Sequence, residues 1–175
     1  MQMRTRRLIL RDLTYADARR IALLAGDADV ARMTARIPHP YTEFDAQDWI
    51  RGIEDNEFVQ GIDFEGYLVG LIGYTINEDR SAELGYWIGK PYWGRGFATE
   101  AAEAVIRHGF RIGRVARMTC CHFIDKPASA RVIEKLGFRC IGVNRAFCLA
   151  RNVEVDTLIY ERKRPLTALL WRGAA

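Results

Sequence analysis

The sequence predicts a single domain of the α/β class, and three observations lead to that prediction. A chain of 175 residues with 49% hydrophobic residues can bury a sizeable core within one domain. Strand-like alternation and helix-like spacing of apolar residues succeed each other along the chain. The predicted order is strand, two helices, three strands, helix, strand, helix and two strands, which is a mixed α/β arrangement.

The first strand is predicted at Leu8–Asp12, where apolar and charged residues alternate. Thr14 with Asp17 has the spacing of a capping box, in which both side chains satisfy backbone groups of a first helical turn. The same spacing recurs in Thr42 with Asp45, so two helices are predicted. The second helix is expected to bury a stripe formed by Trp49, Ile50 and Ile53.

Strand patterns dominate the remainder of the chain. They occur at Phe58–Glu65, Tyr67–Ile76, Glu83–Gly89, Arg117–Phe123, Arg139–Cys148 and Val153–Glu161. The pair Glu65-Gly66 predicts a tight hairpin turn. Between the strands, one helix with an apolar face is expected to end near Gly109. A shorter helix is expected to begin at Pro127 and to stop at Gly137.

The composition is typical of a globular protein in a reducing compartment. The charged fraction is 27%, and no apolar run approaches the roughly 18 residues that span a bilayer. The N-terminus lacks the pattern of a signal peptide. The four cysteines, Cys120, Cys121, Cys140 and Cys148, have no CxxC spacing. Cys120 and Cys121 are adjacent on one predicted strand, so their side chains point to opposite faces of the sheet. We therefore expect free thiols, a cytoplasmic location and no membrane partner.

The net charge of +4 comes with basic residues near both ends of the chain. These residues are Arg4, Arg6, Arg7, Arg11, Arg162, Lys163 and Arg164. We interpret them as solvated faces, and nucleic-acid binding is disfavoured because no stacking aromatic residues are interleaved with them. Preference for a polyanionic ligand is the alternative.

The segment YWGRGFATEA, residues 92–101, has the pattern of an anion-binding cradle. Gly94 and Gly96 permit close approach of a ligand, and Ala98 keeps the first turn of the next helix slim. The first N–H groups of a helix lack intrahelical partners and carry the positive end of its dipole, so residues 94–99 suit a phosphate. The P-loop pattern fails after Lys90, and the dinucleotide fingerprint fails at Thr99. A plain tight turn is the alternative.

A second segment, DKPASARVIEKLGF at residues 125–138, follows a predicted strand. With the cradle, it resembles the GNAT superfamily of acyl-CoA-dependent N-acyltransferases, whose cradle is written Q/R-x-x-G-x-G/A; Trp93 occupies the first position here. The runs ELGYWIGKPYWGRGFATEA, SARVIEKLGF and TRRLILRDLTYADA resemble the ribosomal-protein-alanine N-acetyltransferase branch, of RimJ/RimL type. The resemblance implies a GNAT domain over residues 7–162 and a C-terminal tail over 163–175. It also implies a mixed, mostly antiparallel central sheet with splayed fourth and fifth strands, flanked by helices.

The resemblance further implies how the co-substrate acetyl-CoA is bound. Its pantetheine arm would pair with the backbone of the fourth strand, as an added strand does, and its pyrophosphate would meet the cradle. The cofactor-binding residues expected on this basis are Trp87, Ile88, Gly89, Gly94, Arg95, Gly96, Phe97, Ala98, Thr99, Lys126 and Ser129. The three histidines are scattered without ligand spacing, so no metal site is expected.

Two departures from the family pattern concern the thiol end of the cofactor. Lys126 replaces the usual asparagine, and its ammonium would either reach a CoA phosphate or lie in solvent. Ile133 replaces the tyrosine that protonates the departing thiolate in many members. The RimJ/RimL branch instead implies the serine that aligns with Ser129 as a catalytic hydroxyl. The alternative is a helix-start serine that satisfies the backbone.

Glu83 is the candidate catalytic base. An α-amino group has a pKa near 8, so roughly a tenth of it is neutral at pH 7, and a carboxylate acting through water would complete its activation. The alternative is an exposed carboxylate at the edge of a strand. Asp156 is a second carboxylate that would line the acceptor cleft. An acetyl-cysteine intermediate on Cys120 or Cys121 is disfavoured relative to direct transfer.

The function expected from the resemblance is transfer of an acetyl group from acetyl-CoA to a primary amine by direct attack in a ternary complex. The acceptor would be a protein N-terminus, such as that of a ribosomal protein, or a small amine. The rivals are a catalytically decayed CoA-binding module and a ribosome- or RNA-associated protein. The apolar segment Pro165–Trp171 suggests docking onto another surface, and a homodimer is one candidate.

Overall fold

The computed structural model describes residues 2–112 and 115–165. Its strands are β1 (Gln2–Arg4), β2 (Ile9–Arg11), β3 (Glu57–Phe64), β4 (Tyr67–Ile76), β5 (Ser81–Ile88), β6 (Arg117–Phe123), β7 (Arg139–Cys148) and β8 (Val153–Lys163). Its helices are α1 (Ala18–Ala25), α2 (Ala28–Ala31), α3 (Glu43–Arg51), α4 (Phe97–Arg111) and α5 (Pro127–Lys135), with 3-10 turns at Tyr15–Asp17 and Lys90–Tyr92. Most of the apolar tail lies outside the described residues, and so does the docking predicted for it.

The strands of the described residues form one sheet in the order β1-β2-β3-β4-β5-β6-β8-β7. Strands β5 and β6 are parallel, whereas the other neighbouring pairs are antiparallel. The fold is therefore α/β, as the residue pattern predicts, with the mixed, mostly antiparallel sheet that the resemblance implies.

The sheet separates two layers of helices, each with its own apolar core. Strand β4 contributes to both cores: Val69, Ile72 and Tyr74 belong to the larger one with α4, and Leu68 and Leu71 to the smaller one with α1 and α3. Burying apolar side chains on both faces is the main contribution to the stability of such a layered fold.

Both predicted capping boxes are present. Asp45 N donates to Thr42 Oγ1 over 3.2 Å, and Thr42 N donates to the Asp45 carboxylate over 2.7 Å, at the start of α3. The box of Thr14 and Asp17 opens a 3-10 turn that leads into α1. The predicted stripe of α3 is wrong in part, because Trp49 is 38% exposed and Ile53 lies beyond the helix, whereas Ala46 is the buried residue of α3.

The end of α4 also differs from the prediction. The helix continues through Gly109 to Arg111. Gly109 faces the sheet, where a Cβ would collide with the Met118 side chain, so this glycine provides close packing instead of a stop. The two other glycine predictions are confirmed: Glu65-Gly66 forms the β3–β4 turn with φ of 52° and 83°, and Gly137 follows α5 with φ of 77°.

Candidate active site

The parallel strands β5 and β6 separate partway along their length. Their registered pairs are Ser81 with Arg117, Ala82 with Met118 and Glu83 with Thr119. Beyond Glu83, β5 continues to Ile88 and β6 to Phe123 with no further registered pair between these described strands. A wedge-shaped gap therefore opens in the sheet just after Glu83, which is the splay that the resemblance implies.

The β5 wall of the gap presents backbone groups. Gly89 N donates to Val69 O over 2.8 Å, which fixes the ladder between β4 and the end of β5. Because successive residues of an antiparallel strand alternate their bonding direction, the peptide groups of Leu84, Tyr86 and Ile88 face the gap. The Trp93 indole N–H occupies the Ile88 carbonyl at 2.6 Å and so fixes the exit of β5. The other groups on this edge can pair with an extended ligand.

The predicted cradle follows the exit of β5. Gly94 and Gly96 have φ of 74° and 76°, left-handed values that side chains other than glycine rarely adopt. Glu100 N donates to Gly96 O over 3.1 Å as α4 begins. The N–H groups of residues 97–99 precede this bond and lack an intrahelical acceptor, and the positive end of the helix dipole adds to their attraction for an anion.

Two arginines flank the cradle. The Arg95 guanidinium lies 4.5 Å from the Phe64 ring centroid and 4.8 Å from that of Phe97. Arg7 Nη2 lies 3.5 Å from the position that a Cβ on Gly96 would occupy, and Arg7 Nε pairs with Glu100 over 2.7 Å. Arg7 is exposed, as a solvated basic end predicts, but its ion pair with Glu100, 93 positions away in the sequence, also holds its guanidinium beside the cradle.

On the side of the larger core, two hydroxyls meet beside the gap. Ser129 is 6% exposed, and its Oγ lies 2.8 Å from the Tyr86 hydroxyl. The Ser129 hydroxyl is therefore directed to a side chain, whereas its backbone N–H donates to Lys126 O over 3.1 Å. Burial raises the pKa of Tyr86 to about 12, so this phenol stays protonated at neutral pH. Tyr86 was not among the site residues predicted from the sequence.

Glu83 lies on the opposite face of the sheet. Alternation along β5 directs Leu84 and Tyr86 to the larger core and Glu83, Gly85 and Trp87 to the side of α1 and α3. Glu83 is exposed, and Trp87 packs against the smaller core. The candidate base and the Ser129–Tyr86 pair therefore lie on opposite sides of the gap.

The β6 wall carries the adjacent cysteines, and both are free thiols as predicted. Cys120 is buried and Cys121 is exposed, so they do point to opposite faces. Burial of the sulfur raises the pKa of the Cys120 thiol and also that of the Cys121 thiol, although Cys121 is exposed as a residue, and the Glu83 carboxylate raises both further. The neutral thiol is therefore favoured at each position.

Lys126 directly precedes α5 in the chain. Its ammonium donates to Met33 O over 2.9 Å instead of lying in solvent, and contact with a CoA phosphate stays a prediction. Burial, with a further contribution from the Arg151 charge, lowers the pKa of Lys126 to about 8. Asp156 forms an exposed ion pair with Arg145 at 3.4 Å on β8 and β7.

Over residues 2–112 and 115–165, no three His, Cys, Asp or Glu side chains gather as a metal ion requires. Among the helices of the same residues, none combines the length and the apolar character that crossing a bilayer needs.

Comparison with known proteins gives three results. The family model described as "Acetyltransferase (GNAT) domain" matches residues 7–139. The uncharacterized N-acetyltransferase YoaA of Bacillus subtilis is 29% identical over 93% of this chain and 97% of its own length, and the putative ribosomal N-acetyltransferase YdaF of the same organism is 30% identical over 69% and 67%. A solved structure of the ribosomal alpha-N-protein acetyltransferase RimL in complex with coenzyme A superposes with a TM-score of 0.82 at 17% identity, over 93% of this chain and 98% of RimL.

Proposed function

The chain belongs to the acetyltransferase (GNAT) family and is an N-acetyltransferase, and from that premise we propose that it transfers the acetyl group of acetyl-CoA to a primary amine by direct attack in a ternary complex. The observation that carries this proposal is the opening of the β5–β6 gap directly beside a glycine-lined helix N-terminus. An extended arm ending in a pyrophosphate needs both features next to each other.

We assign the pyrophosphate to the backbone of Gly94, Gly96 and residues 97–99, with Arg95 and Arg7 as flanking cations. The pantetheine arm fits along β5, where Trp87, Ile88 and Gly89 lead into the cradle. The thioester of acetyl-CoA supplies an activated carbonyl, and gap-facing N–H groups of β5 stabilise the negative charge that develops on its oxygen.

Proton transfer is assigned to groups on the two faces. Glu83, on the exposed face, accepts the proton of the attacking amine through water. Ser129, on the buried face, donates its proton to the departing sulfur; the Tyr86 hydroxyl donates a hydrogen bond to the Ser129 oxygen and keeps its own proton, and solvent returns a proton to Ser129 after the thiol has formed. This pair takes the place of the helix tyrosine that Ile133 replaces. The raised pKa of Cys120 and Cys121 supports direct transfer, because neither thiolate is readily formed.

A protein N-terminus is the acceptor we favour, because an α-amine is partly neutral at pH 7 and the relative YdaF carries the name of a ribosomal N-acetyltransferase. The test is release of free thiol from acetyl-CoA with a panel of peptides, amino acids and polyamines. Turnover with at least one amine is expected. Protection against thermal unfolding by acetyl-CoA without any turnover would instead identify a decayed binding module, and salt-sensitive RNA binding without acetyl-CoA binding would identify an RNA-associated protein.

A further inference from the structure

The segment between α2 and α3, residues 32–37, is held by the second half of the chain. The carbonyl of Arg32 accepts a hydrogen bond from Arg151 Nε over 2.6 Å. The carbonyl of Met33 accepts one from Lys126 Nζ over 2.9 Å. The carbonyl of residue 34 accepts a hydrogen bond from Cys148 Sγ over 3.3 Å, and that of residue 35 accepts one from Leu149 N over 3.1 Å. All four donors follow β6 or lie at the turn between β7 and β8.

The other end of this segment is fixed on the far side of the gap. Ile37 packs against the smaller core of α1, α3 and β4, and so does Trp87 of β5. Because β5 and β6 are neighbours in the sheet, a segment anchored beyond β6 at one end and beside β5 at the other spans the gap. It does so on the face where Glu83 lies.

Arg36 is exposed between the last bonded carbonyl of this segment, at residue 35, and the anchored Ile37. Its place in a segment that spans the gap puts a positive charge on the face where Glu83 lies. In agreement with this placement, the pKa of the Cys121 thiol of β6 is raised by burial first and by Glu83 next, and is lowered by Arg36. Among the described residues, no carboxylate lies within ion-pair distance of Arg36. Two other cations of this region are occupied, since Arg151 pairs with Asp125 at 2.6 Å and Lys126 is bonded to Met33 O.

We propose that Arg36 binds a carboxylate that the acceptor carries close to its amine. The inference rests on the proposed function, because it assigns Glu83 to the amine end of the same acceptor. A guanidinium offers paired donors that match a carboxylate, and an acceptor with both charges can then enter in one orientation. Two sources supply this chemistry: an acidic side chain next to a peptide N-terminus, or the α-carboxylate of a free amino acid.

The test compares kcat/KM for matched acceptors. Three peptides share their first residue and carry Glu, Gln or Lys at the second position, and serine is compared with serine amide. The wild type is expected to favour the Glu peptide over the Gln peptide by about tenfold, as one charge-assisted hydrogen bond permits. Preference for serine over its amide, with no preference among the peptides, would identify the free amino acid as the source.

Variants at position 36 assign the preference to this side chain. Arg36→Gln should bring the Glu-to-Gln ratio to about one, and Arg36→Glu should turn the preference towards the Lys peptide. Arg51→Gln, on the exposed surface of α3, is the matched control and should keep the wild-type ratio. Added salt should reduce the wild-type preference, because an exposed ion pair is screened.

Three outcomes overturn the inference. Wild-type turnover that is indifferent to acceptor charge, or a preference that persists in Arg36→Gln, removes Arg36 from acceptor binding and leaves the proposed acetyl transfer intact. Absence of turnover with every acceptor overturns the proposed function, and this inference with it.

Discussion

The Tyr86 hydroxyl lies 2.8 Å from Ser129 Oγ, so a residue of β5 is joined to the first turn of α5 on the buried side of the gap. We expect Ser129→Ala to lower kcat about 100-fold, because the departing sulfur loses its proton donor. Tyr86→Phe should lower kcat about tenfold, because Ser129 keeps its hydroxyl and loses one hydrogen bond. Steady-state kinetics at saturating amine measure both effects, and calorimetry should show little change in acetyl-CoA affinity.

The control for these variants is Ser81→Ala. Ser81 is also buried on β5, at 5% exposure, but its hydroxyl bonds to Asp79 away from the gap. This variant should retain kcat. A fall in kcat that accompanies an equal loss of thermal stability in all three variants would mean that Ser129 and Tyr86 only support the fold.

Glu83→Gln tests the candidate base. We expect kcat/KM for the best acceptor to fall roughly 100-fold near pH 7, the low end for loss of a general base, with acetyl-CoA affinity nearly unchanged. The loss should shrink as the pH passes about 8, because an α-amine then arrives neutral. A pH–rate profile from about pH 6 to 9.5 measures this. Glu103→Gln, an exposed carboxylate on α4, is the control. A loss that is constant over the whole pH range would assign Glu83 to substrate placement instead.

Gly96→Val tests the cradle, and Gly66→Val is its control because both glycines have a left-handed backbone conformation. Gly96 and Gly66 have φ of 76° and 83°, so valine strains the backbone at both positions, but only Gly96 lies in the cradle. At about 100 times its dissociation constant, acetyl-CoA should stabilise the wild type and Gly66→Val by roughly 2.7 kcal/mol. Gly96→Val should lose most of this protection in thermal unfolding. An equal ligand-induced shift in a folded Gly96→Val protein would show that the phosphates bind elsewhere.

Buried tyrosines predict a loss of stability at alkaline pH. Burial raises the pKa of Tyr41 and Tyr86 to about 12, above the value near 10 of an unfolded chain. Because the neutral phenol is favoured in the folded state, this contribution is complete below pH 10 and is lost as the pH rises towards 12. Thermal unfolding between about pH 9 and 11.5 should show a falling melting temperature, and Tyr86→Phe and Tyr41→Phe should each make the decline shallower above pH 10. An identical slope in both variants and the wild type would contradict the assigned titration.

The features that were predictable from the sequence are those encoded by neighbouring residues. The Thr42–Asp45 box, the Glu65-Gly66 turn and the glycines of the cradle act through their own backbone, so a short window contains the whole signal. The end of α4 was misjudged because the role of Gly109 depends on Met118, which approaches it from another element. Glycine alone does not reveal whether it ends a helix or admits a neighbour.

The parts of the candidate site that the sequence did not reveal depend on long-range contacts. Tyr86 meets Ser129 across 43 positions, and Lys126 meets Met33 across 93. Arg7 was grouped with other basic residues because no local pattern links it to Glu100. An aromatic residue in an alternating strand, or an arginine near a terminus, has the same local pattern whether or not it reaches a site.

The hydrogen bonds accepted by the carbonyls of residues 32–35 bear on when this segment is anchored during synthesis of the chain. Their donors lie between Lys126 and Arg151, so they are synthesised long after the segment that they hold. A nascent chain that has reached α4 already contains the cradle residues. At that point the donors at the β7–β8 turn, which anchor residues 32–35, have not yet been synthesised. Contacts so distant in sequence also slow the last stage of folding. The contacts that hold residues 32–35, directly before the proposed acceptor-binding arginine, are therefore completed only while the last quarter of the described chain is being synthesised.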